Sequence, residues 1–211
     1  VAGVAVVGAT GVTGSFADID NDGDADLYVT NVRTGNKLFL NDGSGKFSDV
    51  SGGSGLGHKA HSSSAVFFDY DNDGLLDLYV VHTADWTLDE INPTSKTFRG
   101  KGGDGFDSVI QSAKEYNILY RNNGDHTFTD VAKKLGVAGP NLSFPTWFWD
   151  YNNDGNLDLY LCNEASSAAK GLDGALVWGP APSQLFRNLG NGTFEDVAEA
   201  AGVLNHRYCK G

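Results

Sequence analysis

A chain of 211 residues that is 40 % hydrophobic can bury a core, and it holds no run of about 18 apolar residues that would cross a membrane as a helix. Its formal net charge of −12 excludes a nucleic-acid backbone as partner and a polybasic membrane patch. Aromatic residues at 11 % and recurrent apolar runs separate it from acidic disordered chains.

The chain opens on VAGVAVVGAT with neither a basic leader region nor an initiator methionine, and reads as a mature chain or an internal piece. The first patterned stretch is Phe16, then DIDNDGDAD from Asp18 to Asp26, then the apolar run LYVT. A second element, NKLFLNDGSGKFSDV, starts at Asn36. Both return. The acidic nonapeptide recurs as DYDNDGLLD at 69–77 and DYNNDGNLD at 150–158, each two residues after a phenylalanine, Phe67 or Phe148. The second element recurs as NILYRNNGDHTFTDV at 117 and SQLFRNLGNGTFEDV at 183.

Within a repeat the pattern predicts four short strands. SAVFF is the first, the acidic loop a turn, and LDLYVV the second; NILYRN and HTFTDV form a hairpin closed by an Asn/Gly turn. DVAKKLGV and DVAEAAGV each predict one helical turn, capped by Asp130 or Asp196 and stopped by Gly136 or Gly202. Four strands per unit, radially repeated, define an all-β propeller with three blades at about 1–51, 52–132 and 133–198, and the start of another at 199–211.

The spacing shows where the scaffold tolerates insertion. From Asp49 to Asp69 and from Asp130 to Asp150 is 20 residues each time, whereas the first loop aspartate lies 23, 53 and 38 residues before Asn41, Asn122 and Asn188. Insertions therefore fall at one place, about 82–116 and 162–182. The first is expected to begin as a polar loop and to carry a short amphipathic helix over 107–116, where Val109, Ile110 and Ala113 have helical spacing. The second is expected to be a loop around Trp178. Trp147 and Trp149, flanking Phe148, are expected to pack in the core, and Trp86 and Trp178 are candidates for sugar stacking or protein contact.

Calcium takes six to eight oxygen ligands, and a glycine at the sharp turn lets a loop wrap it. The predicted ligands are Asp18, Asp20, Asp22 and Asp26 with the carbonyl of Asp24; Asp69, Asp71, Asp73 and Asp77 with the carbonyl of Leu75; and Asp150, Asn152, Asp154 and Asp158 with the carbonyl of Asn156. Asn152 replaces a carboxylate, so the third site should be the weakest. An EF-hand needs a glutamate at loop position 12, where this chain has Val29, Val80 and Leu161. Twelve of the 27 acidic residues sit in these loops, and so many like charges call for neutralisation. Calcium is favoured over magnesium because nothing implies a rigid octahedral site.

The paired motifs FFDYDNDGLLDLYVVH and LFRNLGNGTFEDVAEAAGV resemble FG-GAP/VCBS repeats, more narrowly the bacterial proteins similar to cartilage acidic protein, and more distantly the integrin alpha-chain propeller. The resemblance implies a calcium-binding propeller, usually exported to the periplasm, cell surface or medium, and used for adhesion or assembly. Such propellers close with about seven blades, so these three are expected to belong to a longer ring or to assemble one from copies.

Catalytic signatures are thin: GxSxG, HExxH and a Walker loop are missing, and SAAK at 167 lacks companion motifs. His58 and His61 share a face in which packing or surface roles suffice. Cys162 and Cys209 fit no metal spacing and either pair or pack as thiols. The sequons at Asn141 and Asn191 carry weight only in a glycosylating host. The leading expectation is a non-enzymatic interaction module stapled by up to three calcium ions; the alternatives are a carbohydrate-binding propeller and a polysaccharide-cleaving domain.

Overall fold

The computed structural model describes residues 2–101, 112–139, 142–163, 167–170, 176–179 and 181–205. In chain order the first blade is β1 (Thr10–Ala17), β2 (Asp26–Gly35), β3 (Lys37–Asn41) and β4 (Phe47–Asp49), followed by the single turn α1 (Ser51–Ser54). The second begins with β5 (Lys59–Phe68) and β6 (Asp77–His82), is interrupted by β7 (Thr87–Ile91) and β8 (Phe98–Gly100), and resumes with β9 (Ile118–Asn122), β10 (Phe128–Asp130) and α2 (Ala132–Leu135). The third is β11 (Ser143–Trp149) and β12 (Asp158–Asn163), then β13 (Ser167–Lys170) and β14 (Leu176–Gly179), then β15 (Gln184–Asn188) and β16 (Phe194–Asp196).

Each blade is an antiparallel meander, and the last residues of β2 pair with the first of β5 through Val32↔His61 and Gly35↔Lys59, joining the first two blades. The third is a separate four-stranded sheet in the order β11-β12-β15-β16. This is the propeller arrangement that the spacing predicted.

Strand period explains why β6 is buried along its whole length. Leu78 and Val80 point into the cluster shared with Tyr28, Leu38 and Tyr120; Tyr79 and Val81 point into the cluster shared with Leu159, Leu161 and Phe186. Neighbouring blades cover both faces, so DLYVVH reads as a continuous apolar run rather than an alternation. The aromatics before the acidic loop divide in the same way. Phe67 sits edge-on to Tyr28, 6.3 Å between centroids, while Phe68 stacks on Phe148 at 5.2 Å.

That alternation corrects the expectation for Trp147 and Trp149. They occupy the positions of Val66 and Phe68 on a face that no described blade covers, and are 48 % and 45 % exposed, each leaning on Tyr160. Phe16, equivalent to Phe67, is 65 % exposed at the opposite end of the stack.

The insertions also differ from expectation. The first opens with an antiparallel hairpin, β7 to β8, rather than a loop, and the second contains another, β13 to β14. Of the helix expected at 107–116, residues 107–111 lie outside the described residues, and 112–116 are not helical: Lys114 forms a β-bridge with Ala84.

The helical turns follow one device. Asp49, Asp130 and Asp196 accept from the amides of Ser51, Ala132 and Ala198 at 3.0, 3.0 and 3.1 Å, and Gly55, Gly136 and Gly202 end the turn at positive φ. The third copy remains a hydrogen-bonded turn, and the first, SGGS, forms a helix that the sequence did not announce. Cys162 is disulfide-bonded; Cys209, the chain's other cysteine, lies outside the described residues.

Candidate metal centres

The three acidic loops connect the first and second strands of their blades and share one hydrogen-bond plan. The first aspartate accepts from the amides at loop positions 5 and 6: Asp18 from Asp22 and Gly23 at 3.1 and 3.0 Å, Asp69 from Asp73 and Gly74 at 3.2 and 2.9 Å, and Asp150 from Asp154 and Gly155 at 3.0 and 2.9 Å. The position-5 aspartates in turn accept from Asp24, Leu75 and Asn156 at 2.9 Å. Two left-handed residues make this wrap possible. Asn21, Asn72 and Asn153 have φ of 60°, 57° and 59°, and Gly23, Gly74 and Gly155 have φ of 95°, 87° and 88°.

Position 9 roots each loop. Asp26, Asp77 and Asp158 are at most 2 % exposed, and each accepts two backbone amides: Ile19 and Asn41, Tyr70 and Asn122, Tyr151 and Asn188. Burial pushes the Asp77 carboxyl up to about 7 despite these bonds, and raises Asp26 and Asp158 as well.

The loops differ in which oxygens converge. Asp18, Asp20 and Asp22 offer oxygens within 4.8 Å of one another, as do Asp69, Asp71 and Asp77. These two clusters could hold a metal ion. In the third loop no carboxylate trio comes together among the described residues; the side-chain amides of Asn152 and Asn156 donate to Asp154 at 2.8 and 3.0 Å. Asp73 is drawn aside by Arg121, which reaches Asp73 at 2.7 Å and Asp71 at 2.9 Å. Asp71 nevertheless keeps its Oδ1 buried without a hydrogen-bond partner, an acceptor that a cation would satisfy. The donor set is all oxygen in both trios, which suits a hard cation. Val29, Val80 and Leu161 lie inside strands, so position 12 supplies no ligand.

Residues outside the nonapeptides complete the sites. Arg121 went unread because the matching position is Leu40 in the first blade and Arg187 in the third. Asn122 and Asn188, seen only as spacing markers, reach back across the blade interface: Asn122 Nδ2 donates to Ile19 O at 2.8 Å, and Asn188 Nδ2 to Tyr70 O at 2.6 Å. Asn21 Nδ2 donates to Gly74 O, and Asn72 Nδ2 to Asn156 Oδ1, each at 3.1 Å. The loops thus form one hydrogen-bonded arc.

Trp86 is half-buried with its ring 5.7 Å from that of His61, and the side chain of Trp178 lies outside the described residues. Tyr116 is exposed, with Lys133 Nζ 5.1 Å from its ring centre.

Blades of four antiparallel strands, each with an aspartate-rich loop between its first and second strands, define a repeat propeller. The FG-GAP-like repeat model matches residues 18–80 and 103–161, and the chain belongs to that family. No curated protein matches the chain. Among solved structures, a lectin of Agrocybe aegerita, described as recognising non-reducing terminal N-acetylglucosamine, aligns at 16 % identity and a TM-score of 0.30. The alignment covers 92 % of this chain and 56 % of the lectin, so this chain spans little more than half of its length; a likeness at that score carries no argument.

Proposed function

We propose that the protein is a non-enzymatic interaction module, exported to a calcium-rich compartment, whose blades are stapled by calcium at the acidic loops. The observation that supports this best is the pair of carboxylate trios, one containing the orphaned Asp71 Oδ1, on loops tied to one another by Asn21, Asn72, Asn122 and Asn188. Asp18, Asp20 and Asp22 would hold one ion, and Asp69, Asp71 and Asp77 a second. The third loop would bind most weakly, through Asp150, Asn152, Asp154 and Asp158, with the carbonyls of Asp24, Leu75 and Asn156 completing the three sites.

Bound calcium supplies fixed positive charge and no chemistry of its own; the chain's contribution is to hold the carboxylates in a turn and pass that rigidity along the arc. Phe16 at one end, and Trp147 and Trp149 at the other, occupy positions that neighbouring blades cover elsewhere, so further blades of the same repeat, or copies of it, would complete the ring. The insertions would carry the partner-binding surface.

Isothermal titration and thermal unfolding test this reading. With dissociation constants of about 0.1 to 1 mM, calcium at about 1 mM should add roughly 0.4 to 1.4 kcal/mol per site, a rise in melting temperature of several degrees that chelation reverses. Absence of both heat and thermal shift at several times that concentration would remove the metal assignment.

Arg121 sharpens the test. In Arg121→Leu, which copies Leu40 of the first blade, the cation competing at the second loop is gone. Calcium affinity there should rise by about tenfold, the size of one Coulombic contact at about 5 Å in a water-like dielectric. An unchanged titration would mean that the second loop does not bind calcium through Asp71.

A further inference from the structure

At the end of the second blade opposite its acidic loop lies a different cluster. His61, the third residue of β5, sits seven residues before Phe68, about 23 Å away along the strand. It is 1 % exposed, and its Nε2 lies 2.6 Å from Thr87 Oγ1. Its Nδ1 is buried without a hydrogen-bond partner and faces Glu115 Oε2 at 3.4 Å and Asp85 Oδ1 at 3.8 Å. The insertion backbone fixes both acids: Asp85 N–H donates to Ala113 O at 2.9 Å, Glu115 N–H to Thr83 O at 3.0 Å, and His61 N–H to Glu115 Oε2 at 2.6 Å.

We infer that His61, Asp85 and Glu115 form a binding site for a zinc-class divalent transition metal, separate from the acidic loops. The tautomer that gives Nε2–H to Thr87 points the Nδ1 lone pair at two carboxylate oxygens, and a cation between them would satisfy all three acceptors. The three ligand atoms lie within 4.8 Å of one another. Atoms about 2.0 to 2.2 Å from one ion are roughly 3 to 3.5 Å apart, a spacing that the His61–Glu115 contact at 3.4 Å already has and the His61–Asp85 contact at 3.8 Å approaches.

The surrounding charges fit. Arg33 Nη1 lies 2.5 Å from Asp85 Oδ1, Lys101 contacts Asp85 Oδ2, and Arg33 also pairs with Asp89. Three carboxylates against those two cations leave one negative charge beside the His61 ring. Lys101 holds Asp85 through Oδ2, as partners of ligating carboxylates do, while Arg33 shares the Oδ1 that faces His61 and would have to yield part of that contact to the ion. Imidazole in the donor set selects a borderline metal over calcium, which prefers oxygen alone. Partial exposure of the Asp85 and Glu115 side chains, 31 % and 21 %, leaves an entry path and an open coordination position.

The test is a titration of the calcium-saturated full chain with cobalt(II), followed by competition with zinc. One equivalent giving visible ligand-field absorption, bleached by zinc, is expected. Glu115→Gln and Asp85→Asn should each weaken it by about 10–100-fold while leaving near-ultraviolet circular dichroism unchanged, so the result does not depend on a variant at buried His61. His61→Gln should abolish it. No stoichiometric cobalt or zinc binding in the unsubstituted chain would overturn the inference. So would binding that survives all three substitutions and follows His126→Ala, since His126 Nε2 lies 3.1 Å from Asp20 in the first acidic loop.

Discussion

Asp77→Ala is expected to destabilise the protein by about 2–6 kcal/mol, read from urea unfolding in the presence of a chelator. Asp77 is completely buried, and its two oxygens accept the amides of Tyr70 at 3.1 Å and Asn122 at 2.8 Å. Alanine leaves both donors inside the fold without partners, and each such orphan costs about 1–3 kcal/mol. The Tyr70 amide opens the acidic loop and the Asn122 amide closes β9, so the same carboxylate ties the turn to the third strand. Asp77→Asn separates structure from metal. Its amide oxygen can still accept one amide, so about half the loss should return, while the charge offered to a cation does not. Calcium should therefore stabilise the asparagine variant less than the unsubstituted protein. A loss below about 1 kcal/mol in Asp77→Ala would show that water reaches both amides and that the loop is not rooted where the geometry places it.

The same aspartate shows why the acidic loops were legible in the sequence. Asp, Asn and Gly at fixed positions are demanded by local backbone geometry, so the constraint lies in nine consecutive residues and repeats with them. Arg121 answers to a different constraint. It reaches the second loop from a strand 44 residues beyond Asp77, and the matching Arg187 of the third blade pairs with Glu195 instead, so recurrence in the repeat does not disclose its role. The insertion hairpins were hidden for a third reason. TLDEI and FRG are short and half polar, and SAAK has no strong strand former; they pair because chain closure brings them together. Trp147 and Trp149 were misread because a strand face in a propeller is buried only when the next blade is present, a fact about neighbours that no local pattern holds. His61 is the converse case. Its partners Asp85 and Glu115 lie 24 and 54 residues away, and the insertion alone brings them into register.

Phe68→Ala should cost about 3–5 kcal/mol and loosen the third blade from the second. Phe68 is 1 % exposed and stacks on Phe148 with planes 18° apart, at the foot of both the second and third acidic loops. Removing the ring opens a cavity between two sheets that share no strand pairing among the described residues, so side-chain packing and side-chain hydrogen bonds such as Asn188 to Tyr70, Asn72 to Asn156, Ser63 to Ser143 O and Asn117 to Ser143 carry the join. Against a total stability of about 5–15 kcal/mol for a domain, that is a large share. Hydrogen exchange should show the consequence locally. Amides of β12 and β15 should lose protection first, while β2 and β3, which pack on the other face of β6, keep theirs. Phe68→Leu should recover part of the loss by refilling the cavity. A uniform fall in protection across all three blades would instead mean that the stack unfolds as one unit. In that case the acidic loops could not report on their own blades separately, and calcium bound at any one of them would stabilise the whole.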